Sequence, residues 1–243
     1  MNVRGGRTAA VLLALLAPAG AGAQDLKGSF TVAFQAGTQS ELAGDLLKGA
    51  SGSLLGKATT IDSLRYRDVY NPDLRLQGLL GYGVGERVEI VARAGWYETD
   101  AAQGLEAGTR DGAAVYAYFG SYEEVGFEVG LRYYISAAGR LKSYVAPVAG
   151  ARFVSEVLVS FSVPDAGSAL LNLPFSQKDT VPVFGLDLGF TFDLSSKVFV
   201  GIDTGLRYQA AADPFEGLED LPGFENSDGR WTAPVVASIG VRF

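Results

Sequence analysis

The residues of this chain that could do chemistry recur at alternate positions. Arg75, Arg87, Glu89, Arg93, Glu124, Glu128, Arg132, Arg152, Glu156, Asp187, Asp193, Asp203, Arg207, Arg230 and Arg242 are set among apolar neighbours. In an extended backbone such spacing puts a whole set on one side. Every cation of the set is arginine, whose planar fork bridges several carboxylates, whereas lysine is a more strongly hydrated point charge. Glycines fall on the same side, at Gly81, Gly95, Gly126, Gly130, Gly150, Gly185, Gly189, Gly201, Gly205 and Gly240, and make room for long side chains. The set can pair its charges and fill a narrow interior, or it can line a charged path for ions.

Other chemistries find little support. The sequence has no His and no Cys, so an imidazole base, a thiolate nucleophile and a disulfide are all unavailable. Carboxylates could act as acid and base, and Asp213, Glu216, Glu219, Asp220, Glu225 and Asp228 crowd one stretch; such a run reads first as a solvated loop. Oxygen-rich loops also collect Ca²⁺ or Mg²⁺, but no spacing here matches an EF-hand. The expectation is a protein that is not an enzyme, with no catalytic residue, no metal site and no cofactor.

The elements that must position the charges are strands. Hydrophobicity recurs every second residue in eight segments, about Gly28 to Thr38, Asp73 to Tyr82, Arg87 to Thr99, Tyr122 to Ile135, Leu141 to Phe161, Thr180 to Leu194, Lys197 to Gln209 and Arg230 to Phe243. Each matches or exceeds the roughly 9 to 11 residues that a tilted strand needs to cross a bilayer. Their connections alternate in length. Gly83 to Glu86, Ser136 to Arg140 and Ser195 with Ser196 are short; Gln39 to Pro72, Asp100 to Ser121, Ser162 to Asp179 and Ala210 to Gly229 are long. That alternation predicts an all-β fold, an eight-stranded antiparallel up-and-down transmembrane β-barrel with short periplasmic turns and four long outer loops. The faces opposite the charges are apolar, as in Phe30, Val32 and Phe34 or Phe184, Leu186 and Leu188. A soluble lipocalin-type barrel is the rival, but it would place the apolar side chains inside and the charges in water.

Local details are predicted too. A short helix is expected at Glu41 to Leu47, and Pro147 should produce a bulge or irregular pairing in the fifth strand. Thr59 to Pro72, with Tyr66, Asp68 and Tyr70, reads either as an adhesive loop face or as an extension of the second strand. Trp96, Tyr97, Tyr122, Tyr208 and Trp231 are expected near the outer rim and Tyr82, Tyr133, Phe192, Phe199 and Phe243 near the other, with Tyr97 and Phe199 on the inward side.

The two ends agree with export to a membrane. Residues 1–23 have a basic start with Arg4 and Arg7, an apolar run from Ala9 to Leu16, and the small triplet Ala21, Gly22, Ala23. They read as a signal peptide cut before Gln24, more readily than as an uncleaved anchor helix, because the apolar run is short. Residues 24–243 then form one barrel domain. The net charge is −7, and cutting away Arg4 and Arg7 makes the chain more acidic still, a poor match for nucleic acid. The last strand alternates Ala233, Val235, Ala237, Ile239, Val241 and Phe243 on one face and stops on the aromatic.

A terminal strand of this form, together with the alternating loops, resembles the small eight-stranded outer-membrane barrels, the group that includes the OmpA transmembrane domain, OmpX, OmpW and the Opa proteins. The resemblance spans the mature chain and rests on pattern. It departs in the last strand, where Ser238 and Gly240 stand in place of the glycine five residues before the end. It implies the outer membrane of a Gram-negative-type bacterium, outer-membrane lipid and lipopolysaccharide as surroundings, and the barrel assembly machinery as a partner that reads Ile239, Val241 and Phe243. The expected state is a monomer. Its function is expected to be structural or surface-directed, with a lumen closed by ion pairs and recognition by the outer loops. The alternative is a narrow conduit for ions or small hydrophobic molecules, with Arg93, Glu128, Arg132, Arg152 and Asp187 lining it.

Overall fold

The computed structural model describes residues 26–54, 56–136, 139–213 and 228–243. The expected signal peptide, and Glu216, Glu219, Asp220 and Glu225 of the acidic stretch, lie outside the described residues. In chain order the strands are β1 (Phe30–Ala43), β2 (Asp45–Leu47), β3 (Ala50–Leu54), β4 (Lys57–Ile61), β5 (Leu64–Arg65), β6 (Asp73–Gly85), β7 (Val88–Thr99), β8 (Leu105–Arg110), β9 (Ala113–Phe119), β10 (Tyr122–Ser136), β11 (Leu141–Val154), β12 (Val157–Val163), β13 (Ser168–Ser176), β14 (Asp179–Asp193), β15 (Val198–Gln209) and β16 (Arg230–Arg242). One helical turn, α1 (Tyr66–Val69), lies between β5 and β6.

Eight of these strands close a barrel in the order β1-β16-β15-β14-β11-β10-β7-β6, and β6 pairs back onto β1. Every pairing in it is antiparallel. The first and last strands are stitched at their ends by Phe30 N–H to Phe243 O at 3.1 Å and Phe243 N–H to Phe30 O at 2.8 Å. Burial alternates along each strand, most cleanly in β10 and β16. The exposed positions are apolar all the way round: Phe34, Leu80, Ile90, Phe127, Phe153, Phe184, Ile202 and Ile239 among them. A continuous belt of this size would be costly in water and is what a bilayer selects.

The prolines are accommodated by local loss of pairing. β10 and β11 pair at Gly130↔Val148 and again at Tyr133↔Val145, so the ladder is interrupted opposite Pro147 while the register is kept. The expected irregularity is present, without a bulge at that point. Pro234 in β16 does the same to β15, whose pairing lapses between Thr204↔Val235 and Arg207↔Thr232. A missing donor costs one local bond and leaves the closed cylinder intact.

Three expectations need correction. The fifth barrel strand ends at Val154; Val157–Val163 belongs to another sheet. No helix forms at Glu41 to Leu47: Glu41 stays in β1, and Asp45–Leu47 pairs with β5. Gly44 between them has φ +122°, a conformation no right-handed helix contains. Thirdly, the first three long connections are not loops. They build a six-stranded sheet ordered β13-β12-β9-β8-β4-β3 over the open end of the barrel.

That sheet and the barrel mouth share one apolar core. Val115, Ala117, Phe119, Val157, Val159, Phe161 and Phe175 from the sheet meet Leu46, Leu47, Leu64, Val69 and Tyr70 from the first connection. Below them lie Tyr97, Tyr122, Val154 and Val181 of the barrel strands. Tyr66 and Tyr70 are thus buried and face the core, and Thr59 to Pro72 is not an extension of the second strand, which begins at Asp73.

Candidate functional site

The inward residues of the barrel form a stack of ion pairs, and alternation is what aims them there. At the capped end Arg230 is wholly buried. Its guanidinium lies 3.0 Å from Glu41 Oε1 and 2.8 Å from Glu124 Oε2, and donates to the Tyr122 hydroxyl at 2.8 Å. It also stacks over the Tyr122 ring, 4.3 Å from the centroid, and faces Tyr66 of the cap at 5.1 Å. One arginine therefore joins β16, β1, β10 and α1. Above it the Tyr70 hydroxyl donates to Gly120 O at 3.3 Å, and burial pushes this phenol well above its usual range.

Mid-lumen, Glu128 is the hub. Arg207 forks onto it, with Nε 3.2 Å from Oε1 and Nη2 3.1 Å from Oε2. Arg152 pairs with the same carboxylate, while Arg75 and Arg93 approach at 3.5 and 3.6 Å. Asp187 shares the load: Arg207 reaches it at 2.6 Å, and Arg93 pairs with it as well. Gln35, Gln39 and Gln77 complete the layer, with Gln77 donating to Gln35 at 2.7 Å and Gln35 to Asp203. Such sharing lets each buried charge keep several partners, without which its desolvation would not be repaid.

Toward the turn end, Arg132 and the Tyr134 hydroxyl each lie 3.0 Å from Glu89 Oε2. Arg132 stacks on Tyr144 at 4.2 Å, and the Tyr144 hydroxyl donates to Asp203. Leu26 packs beneath Tyr134 and Tyr144, and Phe199 with Ala33, Leu79 and Val91 forms an apolar plug. At the mouth itself Asp193 meets Lys142 and Arg242.

The glycines do the work expected of them. A Cβ at Gly126 would overlap the Arg152 guanidinium, at Gly189 the Tyr144 ring and at Gly205 the Asp187 carboxylate. With the gaps so filled, the cavity lined by Arg75, Gln77, Arg93, Asp187, Asp203 and Arg207 is only ≈ 10 Å³. That is at the lower limit for one water molecule.

Most expected lumen residues are where alternation places them: Arg75, Glu89, Arg93, Glu124, Glu128, Arg132, Arg152, Asp187, Asp203, Arg207, Arg230 and Arg242 are buried, and Asp193 is half-buried. Two are not. Arg87 is exposed in the turn before β7, and Glu156 is exposed where the chain leaves β11 for the outer sheet. Both fall beyond the ends of the alternating runs, where parity no longer fixes direction. The uniform arginine character also fails at one point, since Lys142 is completely buried. Its ammonium sits at the turn end beside Asp193. Tyr122 is inward as well, although an outer girdle position was expected; Tyr208 and Trp231 do lie exposed and stack at 5.2 Å. Glu41 and the inward glutamines were missed. Gln35 and Gln39 share the parity of Thr31 and Ala33, so counting uncharged polar residues would have found them.

A closed eight-stranded antiparallel barrel, apolar outside and ion-paired inside, has the architecture of the small outer-membrane β-barrels. No protein-family model and no curated protein matches the sequence. Solved structures similar in fold include the N-terminal β-barrel domain of Pseudomonas aeruginosa OprF, at 13% identity and TM-score 0.41 over 89% of this chain and 98% of that one. The outer membrane protein OprG from Pseudomonas aeruginosa is similar at 14% identity and TM-score 0.46, over 90% and 98%. Neisserial surface protein A follows at 12% and 0.43, over 89% and 98%. The chain's own geometry is what defines its class: eight strands, short turns at the end where β1 begins and β16 finishes, and a charged interior behind an apolar outer wall.

Proposed function

We propose that this is a non-enzymatic outer-membrane protein whose barrel is a closed stand for an outer recognition sheet. The observation that carries the reading is the continuity of the filling. Ion pairs occupy the lumen from Arg242 to Arg230, and above Arg230 the lumen runs into the apolar core of the cap. A path for water would have to break several of these pairs and part that core. The six-stranded sheet, carried on β12 and β13 as outgrowths of barrel strands, offers its outer face and two edges, β3 and β13, that are unpaired among the described residues. Loops and edges of this kind are where recognition is usually placed. On the carboxy-terminal face Ile239 and Phe243 are exposed and Val241 is half-buried, which supports its reading by assembly machinery during insertion.

The test is ion conductance of purified protein in a planar bilayer. Current at the level of protein-free membrane supports the closed stand; steady unitary current overturns it and makes the arginine-lined lumen a conduit.

A further inference from the structure

Each strand that sets out from the turn end is preceded by a basic residue. Lys27 stands before β1, Arg87 before β7, Arg140 before β11 and Lys197 before β15. In the closed order these are every second strand, so the cations are spaced around the whole rim. Three of them are held by the same bond. The backbone N–H of Tyr134 donates to Arg87 O at 2.8 Å, that of Asp193 to Arg140 O at 2.8 Å, and that of Arg242 to Lys197 O at 2.7 Å. A carbonyl tied into the neighbouring strand fixes the height of its residue, while each of these side chains stays exposed.

Among the described residues Arg87, Arg140 and Lys197 form no ion pair, whereas at the outer end Lys48, Lys57 and Arg67 face Asp228, Asp111 and Asp68. Among the described residues the rim acids do little to neutralise them: Asp193 is engaged by Lys142 and Arg242, which leaves exposed Glu86. A chain of net charge −7 thus keeps uncompensated positive charge at one end.

The depth of the collar says what it meets. Arg140 is followed directly by exposed Leu141, Lys197 lies three residues after exposed Leu194, and Arg87 lies close in sequence to exposed Tyr82 and Val84. A strand rises about 3.3 Å per residue, so each charge lies within one headgroup layer of the apolar belt. Long stems can rest on the belt while the charged heads reach water. Because the cations ring the circumference, each faces a different lipid, and no single linear polymer could engage them all.

We propose that Arg87, Arg140 and Lys197, with Lys27, form a collar that binds the phosphates of anionic phospholipid in the inner leaflet. The protein, purified from membranes in detergent, is reconstituted in phosphatidylcholine vesicles containing a minor fraction of phosphatidylglycerol. Spin-labelled phosphatidylglycerol and phosphatidylcholine then report the share of each lipid immobilised at the barrel surface. The expected result is a several-fold preference for phosphatidylglycerol that weakens as salt shortens the screening length. In the variant R87Q/R140Q/K197Q it should collapse toward parity, while the boiled and unboiled gel mobilities still differ as for a folded barrel. The variant K178Q, at exposed Lys178 between β13 and β14 on the opposite rim, should leave it unchanged. No preference in the native protein, an undiminished preference in the triple variant, or its loss in K178Q overturns the proposal. So does a triple variant that keeps its lipid preference but loses co-sedimentation with purified peptidoglycan, which would assign the collar to the cell-wall polymer.

Discussion

Glu128 on β10 and Arg207 on β15 meet across the lumen as a two-pronged pair, with separations of 3.2 and 3.1 Å. Two strands, β11 and β14, separate them on the wall. The contact therefore braces the cylinder from within, where backbone pairing between neighbours cannot act.

Removing both members should cost less than the sum of the two single truncations. Glu128→Leu leaves Arg75, Arg93, Arg152 and Arg207 without their shared carboxylate, and an unpaired buried charge costs about 3–5 kcal/mol. Arg207→Met should cost a similar amount, since it strips Glu128 and Asp187 together. In the double variant the orphaned charges partly cancel, so its loss should fall short of the sum by at least about 1 kcal/mol. Urea midpoints of the vesicle-embedded proteins measure the cycle. Simple additivity would mean the pair is screened and the lumen wetter than its geometry indicates.

The same layer sets the barrier to ions. Removing three side chains from the layer, as in R75A/R93A/E128A, opens a gap in the filling beside Arg152, Asp187 and Arg207. The expected outcome is a small, noisy conductance in planar bilayers where the native protein is silent. A silent triple variant would place the barrier in the cap core and the Leu26 and Phe199 plug instead.

The cap should be separable from the barrel in stability. Phe161 is buried in the shared apolar core, and loss of a large core aromatic costs about 3–5 kcal/mol. In F161A the amides of β9, β12 and β13 should exchange markedly faster with solvent, while those of β10, β11 and β14 stay protected. Equal acceleration in both sets would show that cap and barrel open as one cooperative unit.

The barrel was legible because its two faces differ in kind. Along β10 the alternation of Glu124, Gly126, Glu128, Gly130 and Arg132 with Val125, Phe127, Val129 and Leu131 leaves one register that hides the charges. The cap was not legible, for a physical reason. Its strands are short, and their alternation is broken by Gly108 at φ +136° and by register shifts at Glu106/Gly108 and Val159/Phe161. Their apolar residues are also shared among three connections far apart in sequence, so no single one shows a buried face. Arg87 and Glu156 were misplaced because charge was sorted by parity past the ends of the strands. Arg87 then gained its meaning only beside Arg140 and Lys197, which the barrel brings to one rim.

Arg230 is the residue on which cap and barrel both depend, and its replacement should separate two kinds of order. The side chain ties Glu41 and Glu124 of the barrel to Tyr122 and, through its flat face, to Tyr66 of α1. Arg230→Met keeps the volume and the stem but leaves two buried carboxylates with one partner fewer. Glu124 retains Arg152 at 3.4 Å; among the ion pairs of the described residues Glu41 has no other cation. The mouth should relax by letting Glu41 reach water, and that route runs through the contact between α1 and the barrel. The expected result is trypsin cleavage at Arg65 and Arg67 many times faster than in the native protein, with the barrel still shifting on gels when boiled. Arg230→Lys should fall between the two, since one ammonium can satisfy one carboxylate but cannot fork to both. If R230M resists trypsin as the native protein does, the cap is held by its apolar core alone, and the arginine serves only to fill the lumen.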